Sequence, residues 1–389
     1  ANMASEEYDC IVIGAGIQGS FTAYHLAKNK KKTLLLDQFF LPHSRGSSHG
    51  QTRIIRKAYE EDFYVHMVEG SYELWARLER EAGVKLITRT GLLLMGPENA
   101  KDFQLVKSSV QNNGIPAVFL QRHEFSQHIP NVNLTPGDGA LVETTAGVLF
   151  ADRAVRAAQM VFQGYGGEIK DGQKVLQIEP GSVVTVKTGS GIYRAKSLVI
   201  AAGAWCNELL THVGLQLPLQ VLKINVCYWK EKVPGSYSVK NRFPCFIQLH
   251  PKEAENDIYG LPSNEYPGLM KLCYHSGSET NPDERDKQTD KSDVEVLSRY
   301  VVRCFPGLVP VPSVVESCMY TVTPDQNFVL DHHPTYRNIV IGAGFSGHGF
   351  KFSPVVGKVL SELSMGQVPS YDLSPFRIDR FSTQPKSAL

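Results

Sequence analysis

The stretch DCIVIGAGIQGSFTAYHLA, beginning at Asp9, constrains the fold more than any other part of the chain. Residues 8–13 are rich in β-branched side chains and read as a buried strand. They lead into Gly14-Ala15-Gly16-Ile17-Gln18-Gly19, after which 20–27 carries a helical pattern. A second buried strand, 32–36, ends at Asp37, eighteen residues beyond Gly19. Strand, glycine turn, helix and strand make a β-α-β unit in which each glycine has a task. Gly14 permits the tight turn, Gly16 lets the backbone approach a pyrophosphate, and Gly19 lets the helix pack closely. The helix N-terminus then faces phosphates, while Asp37 suits ribose hydroxyls and disfavours a 2′-phosphate. Dinucleotide binding follows, and the motif by itself leaves NAD and FAD both open.

The same arrangement returns near the end of the chain. Residues 338–341 read as a strand, run into Gly342-Ala343-Gly344-Phe345-Ser346-Gly347-His348-Gly349, and precede a helical 355–365. Between the two, 63–82 and 152–164 have helical periodicity, 88–95 and 140–149 read as strands around an amphipathic stretch, and 183–187, 193–195 and 197–202 read as a sheet returning to the nucleotide unit. From about 217 to 317 the pattern is strand-like and broken by Pro and Gly, with strands at 224–229, 257–261 and 269–275. A chain of 389 residues exceeds what one core usually supports. The expected fold class is α/β and α+β: a Rossmann-like dinucleotide domain assembled from 1–90, 150–216 and 320–389, with an inserted antiparallel-sheet substrate domain from 91–149 and 217–319.

Charge narrows the partners. The formal net charge is +1, so no global field draws the chain to nucleic acid or to an anionic membrane. No apolar run approaches the roughly 18 residues that span a bilayer. Seven cysteines are scattered with no C-x-x-C pair, which argues against a disulfide framework or a zinc site. Against this neutral background, SHGQTRIIRK (48–57) is unusual: two arginines flank two isoleucines. Isoleucines between charges are not expected on a solvated surface, which leaves open whether these cations pair in salt bridges or face something else.

Three stretches, SSHGQTRIIRKAY (47–59), GLMKLCYH (268–275) and CMYTVTPDQNFVLDHHP with NIVIGAGFSGHGFKFSP (318–354), resemble the monomeric sarcosine oxidase family of flavoproteins. The resemblance runs from about Tyr8 to Phe381, and QFFLPHSRGSSHG and SYDLSPFRIDRFS are most similar to its animal peroxisomal members. It implies FAD, bound covalently through the sulfur of Cys318. It implies that His49, Thr52 and Arg53 line the flavin and the substrate pocket, and that Arg56 and Lys351 grip a substrate carboxylate. Tyr259 and His275 match residues beside the substrate amine, and Tyr320, Gly344 and Gly347 belong to the same pocket and cofactor surround. Lys271 matches a lysine on the flavin face away from the substrate, where a positive charge favours electron transfer to O2.

The implied reaction is oxidation of a small secondary amino acid, L-pipecolate or sarcosine and more weakly L-proline, to an imine with release of hydrogen peroxide. A fructosyl amino acid oxidase-like activity, or oxidation of another N-alkyl amino acid, is the alternative within the family. An NAD-dependent dehydrogenase or a non-catalytic FAD-binding module would share the β-α-β unit without needing the cysteine or the lysine. The resemblance also implies a monomer. The C-terminal Ser387-Ala388-Leu389 departs from the S-K-L peroxisomal address by its missing central base. The family favours the peroxisome, with the cytoplasm as the other expectation.

Overall fold

A computed structural model describes residues 5–264 and 266–382; the C-terminal tripeptide lies outside the described residues. The β-α-β unit forms as expected: strand Glu6–Ile13, helix Ile17–Lys28 and strand Thr33–Leu36. Glu6–Ile13 is the centre of a parallel array, flanked by Thr33–Leu36 on one side and Ile192–Ile200 on the other. Glu168–Lys170 and Ile339–Ala343 extend the array at its two ends, and the antiparallel strands Val175–Glu179, Val184–Thr188 and Val329–His332 complete an eight-stranded sheet. Fully buried strands such as Thr33–Leu36 fit here because both faces are covered, one of them by the packed helices Ile17–Lys28, Ala151–Gly164 and Ser353–Ser364.

A second sheet of nine strands carries Gln220–Glu231, Leu269–Tyr274, Ile258–Leu261, Cys245–Gln248, Leu92–Pro97 and Asp138–Glu143 in that order, with the long strand Leu308–Val322 along Gln220–Glu231. Its pairings are antiparallel except where Cys245–Gln248 meets Leu92–Pro97 in parallel. That junction joins the two chain pieces of the expected inserted lobe, which no hairpin connects. Leu308–Val322 is continuous through residue 319.

Several local expectations are corrected. The stretch 140–149 is two strands in different sheets: Asp138–Glu143 lies in the nine-stranded sheet, and Gly147–Phe150 pairs with Thr52–Ile55 and Ile87–Arg89 in a small third sheet. The break lies at Thr144-Thr145-Ala146, and a Cβ on Gly147 would stand 2.1 Å from Thr88 O, so only glycine allows that strand approach. The stretch 88–95 is likewise divided, at Gly91, which has φ 78°. Residues 193–195 and 197–200 belong to one strand, Ile192–Ile200, which ends before 201–202, and the strand-like region 217–317 holds a helix, Ser292–Cys304.

Candidate active site

The glycine turn is built by close backbone contact. Gly14 has φ 105°, and a Cβ there would meet Ala201 O at 2.1 Å. A Cβ on Gly19 would meet Gly14 O at 1.7 Å, so helix and turn touch backbone to backbone. Gly16 precedes a helix with no side-chain cap of its own; instead Ser48 Oγ accepts from Ile17 N at 3.0 Å. Asp37, buried at the end of its strand, accepts from Ala15 N at 2.9 Å and Phe39 N at 3.0 Å, with His43 Nε2 at 3.0 Å.

From this turn a cavity of about 1470 Å³ runs between the two large sheets to Cys318 and Lys351. That is larger than the usual ~300–1,000 Å³ of a small-molecule pocket. Of the residues singled out above, all line it except Gly19, whose task is packing. The segment around the two arginines forms the strand Thr52–Ile55. Ile55 is fully buried in the core, and Ile54 packs against a second apolar cluster with Val148 and Leu261. Packing of these two side chains fixes the strand on which the cations sit.

The arginines differ in what holds them. Arg53 donates to the carbonyls of Thr52 at 2.8 Å, His49 at 2.6 Å and Ser47 at 3.0 Å, and so ties its own loop together. Arg56 donates to Ala58 O and lies with its guanidinium carbon 3.9 Å from the Tyr59 ring centroid. Among the described residues neither Arg56 nor Lys351 has a carboxylate partner. Lys351 is only 5% exposed and donates to Tyr59 Oη at 2.9 Å and His348 O at 3.0 Å. Burial and then the Arg56 charge push its pKa well below the ordinary lysine value.

Opposite, three rings form a hydrogen-bonded chain. Tyr320 OH donates to Tyr259 Oη at 3.1 Å and lies 3.1 Å from His275 Nδ1. Burial, and then the Arg56 and Lys351 charges, push His275 down to about 4, so its imidazole is neutral near pH 7. Gly347 has φ 80°, and a Cβ there would fall 2.6 Å from a Tyr320 ring carbon and 2.9 Å from His275 Cε1. Gly344, with φ 67°, sits against Thr323.

Cys318, which packs in one apolar cluster with Tyr259 and Tyr320, and Lys271 have partners of their own. Cys318 Sγ is 3.9 Å from Ser47 O, and His49 Nε2 lies 2.9 Å from the carbonyl of the preceding Ser317. Burial lowers His49 to about 4. Lys271, 5% exposed between the fully buried Met270 and Leu272, donates to Thr52 O at 2.9 Å.

Some site-building residues carry no local signal. The carboxylate of buried Glu143 accepts from Lys57 N and Ala58 N, both at 2.9 Å, and from Thr145 Oγ1 at 2.7 Å, which pins the turn after Arg56. Tyr59 and His348 join the cation group, and Arg285 donates to Ser44 O and Arg45 O from the far lobe. A glutamate inside the apolar run ALVETTAGVLF was the one available hint.

A dinucleotide fits this lining on two observations. The glycine turn is a cradle that a Cβ would fill, and four buried polar atoms of residues that line the cavity, Gln18 Oε1, His49 Nδ1, Arg285 Nε and Thr321 Oγ1, have no protein partner among the described residues. Residues 9–363 match the family model described as FAD dependent oxidoreductase, DAO. The chain is 55% identical to the peroxisomal sarcosine oxidase of Homo sapiens over 98% of each chain, and 37% identical to the monomeric sarcosine oxidase of Bacillus sp. (strain NS-129) over 97% of each. NikD, described as an unusual amino acid oxidase essential for nikkomycin biosynthesis, has a solved structure that aligns with a TM-score of 0.85 at 21% identity, over 96% of this chain and 98% of its own. That likeness shows the DAO-type flavoprotein fold. The glycine cradle, the long cavity and these matches together place the chain in the DAO family of FAD-dependent oxidoreductases, and within it among the sarcosine oxidases, as a flavin-dependent amine oxidoreductase.

Proposed function

We propose that this chain oxidises small secondary amino acids, with sarcosine the leading substrate, L-pipecolate a second and L-proline a poorer one. The observation that carries the reading is the pair Arg56 and Lys351, two cations without a carboxylate partner among the described residues, at one wall of the cavity that also holds Cys318. A planar fork beside a point charge suits a substrate carboxylate. The names of the human and Bacillus relatives support sarcosine.

With the carboxylate on Arg56 and Lys351, the amine end is turned toward Tyr259, His275 and Tyr320. The positive field that helps depress His275 also disfavours an ammonium ion. It therefore holds the bound amine neutral, and only the neutral amine has the lone pair that assists C–H cleavage. Gly344 and Gly347 keep the adjoining wall low enough for a ligand to lie against the rings. FAD, when bound, supplies acceptance of a hydride equivalent from the carbon next to nitrogen and delivery of its electrons to O2 as hydrogen peroxide. The imine that leaves hydrolyses, in the case of sarcosine, to glycine and formaldehyde. His49, Thr52 and Arg53 line the flavin edge, Cys318 tethers the cofactor, and Lys271 serves oxygen. The reading includes a monomer, which the name of the Bacillus relative supports, and a peroxisomal location, which the name of the human relative supports.

Peroxide release across a panel of sarcosine, L-pipecolate, L-proline and a fructosyl amino acid tests the substrate class. Turnover of the fructosyl compound alone would overturn it. Arg56→Met and Lys351→Met are each expected to raise KM or the dissociation constant of a carboxylate ligand by the worth of a charge-assisted bond, about 1.5–3 kcal/mol. An equal loss for an amine substrate lacking the carboxylate would show a structural effect instead. Gly14→Ala, which would force a Cβ to within 2.1 Å of Ala201 O, is expected to give protein without bound flavin, read from the ratio of flavin to protein absorbance.

A further inference from the structure

We infer that Tyr59 is the positioning residue of the carboxylate clamp: its ring face carries the Arg56 guanidinium, its hydroxyl carries the Lys351 ammonium, and His348 sets the direction of that hydroxyl. The inference rests on reading Arg56 and Lys351 as the clamp.

The hydrogen bonds run in one direction. His348 Nε2 lies 2.9 Å from Gln326 O, and a carbonyl only accepts, so Nε2 carries the proton. Burial, then the Lys351 charge, pushes His348 well below the ordinary histidine value, so the ring is neutral and Nδ1 is left as an acceptor. Tyr59 OH stands 3.1 Å from that Nδ1 and donates to it. The lone pairs of the hydroxyl are thereby turned toward Lys351 Nζ, which donates to Tyr59 Oη at 2.9 Å. A second Lys351 hydrogen goes to His348 O at 3.0 Å. An ammonium has three, and Lys351 lines the cavity, so the third is left for a ligand.

The ring does separate work. The Arg56 guanidinium carbon sits 3.9 Å from its centroid, within the range in which an aromatic face attracts a cation. Two like charges this close need something between them, and after burial the Arg56 charge is what depresses Lys351. Tyr59 puts an electron-rich face against one cation and an oxygen lone pair against the other. The residue is itself held fast. Its ring packs on Tyr64 and Phe352 with centroids 5.1 and 5.3 Å away, and Glu143 clamps the backbone N–H of Lys57 and Ala58 just before it.

The test uses the purified holoenzyme and (methylthio)acetate, in which sulfur replaces the N–H of sarcosine, with binding read from the change in flavin absorbance. Tyr59→Phe keeps the ring and drops the hydroxyl; about tenfold weaker binding is expected. Tyr59→Leu should weaken it further by removing the face under Arg56. His348→Leu should resemble Tyr59→Phe, and His348→Asn, whose amide oxygen can take the place of Nδ1, should recover most of the loss. The deciding measurement is the double variant. On a Lys351→Met background Tyr59→Phe should add less than about twofold, because both act through one bond. A full tenfold loss there, or no loss from Tyr59→Phe while Lys351→Met alone weakens binding, overturns the assignment. Wild-type binding by Lys351→Met would overturn the clamp itself, and this assignment with it. Bound flavin and melting temperature of each variant separate these outcomes from misfolding, and His348→Asn keeps the question open to decision where a Tyr59 variant does not fold.

Discussion

Cys318→Ala protein is expected to release all of its flavin on denaturation, and the wild-type chain to keep it. The expectation follows from where the seven cysteines sit. Cys10, Cys206, Cys227, Cys245, Cys273 and Cys304 are buried, and none of them lines the cavity; Cys318 does. Burial pushes the thiols of Cys10, Cys206 and Cys245 up to about 12 and raises those of Cys227 and Cys304 as well. A thiol held in its protonated form is a poor nucleophile. Only Cys318 therefore combines access to the cofactor with its place at the end of a cavity whose other end is the glycine turn. Acid precipitation followed by ultraviolet fluorescence in a denaturing gel, and the intact mass, read the outcome. Flavin still attached to denatured Cys318→Ala protein would remove the assignment, and loss of attachment on replacing any of the other six would move it.

Lys271→Met is expected to slow reoxidation of the reduced enzyme by on the order of 10²-fold or more, and to change anaerobic reduction by substrate much less. Lys271 donates to a backbone carbonyl, Thr52 O, and among the described residues it has no carboxylate partner. Burying an ammonium with so little compensation is costly. The proposed role accounts for that cost: the anion formed as O2 takes its first electron is a charge that a buried ammonium beside the cavity would stabilise. Removing one fixed stabiliser of a developing anion costs about 2.7–4 kcal/mol. Methionine has a similar length and no charge, and Met270 and Leu272 on either side are already apolar, so the strand Leu269–Tyr274 should tolerate it. Stopped-flow absorbance separates the halves: bleaching without oxygen reports reduction, and return of colour on mixing with oxygen reports reoxidation. Wild-type reoxidation with slow reduction would move Lys271 to the substrate side.

The β-α-β unit was legible because its determinants are local. A turn with φ 105° at Gly14 and a backbone contact closer than any Cβ allows at Gly19 require glycine at those positions, and the requirement shows in the sequence as spacing. The family resemblance carried the rest of the candidate site, and the structure gathers those residues, Gly19 apart, around one cavity. Glu143, Tyr59 and His348 were not legible, for one shared reason. Glu143 meets Lys57 across 86 positions and His348 meets Tyr59 across 289, far beyond any window in which periodicity is read. The stretch 140–149 failed from the opposite cause: its apolar pattern is the same on both sides of Thr144-Thr145-Ala146, and nothing local says that the two halves join different sheets.

The order of residues was enough to show where the backbone turns on glycine, which runs are apolar enough to be buried strands, and that two arginines sit on either side of two isoleucines. The tertiary structure set how each cation is held, since Arg53 directs its donors to three carbonyls of its own loop while Arg56 rests on the Tyr59 ring. It also decided which of seven thiols borders the cavity and that Lys271 is enclosed. The physical reason is that charge and reactivity depend on burial and on partners, and both are properties of the packed sheets, supplied by segments hundreds of residues apart.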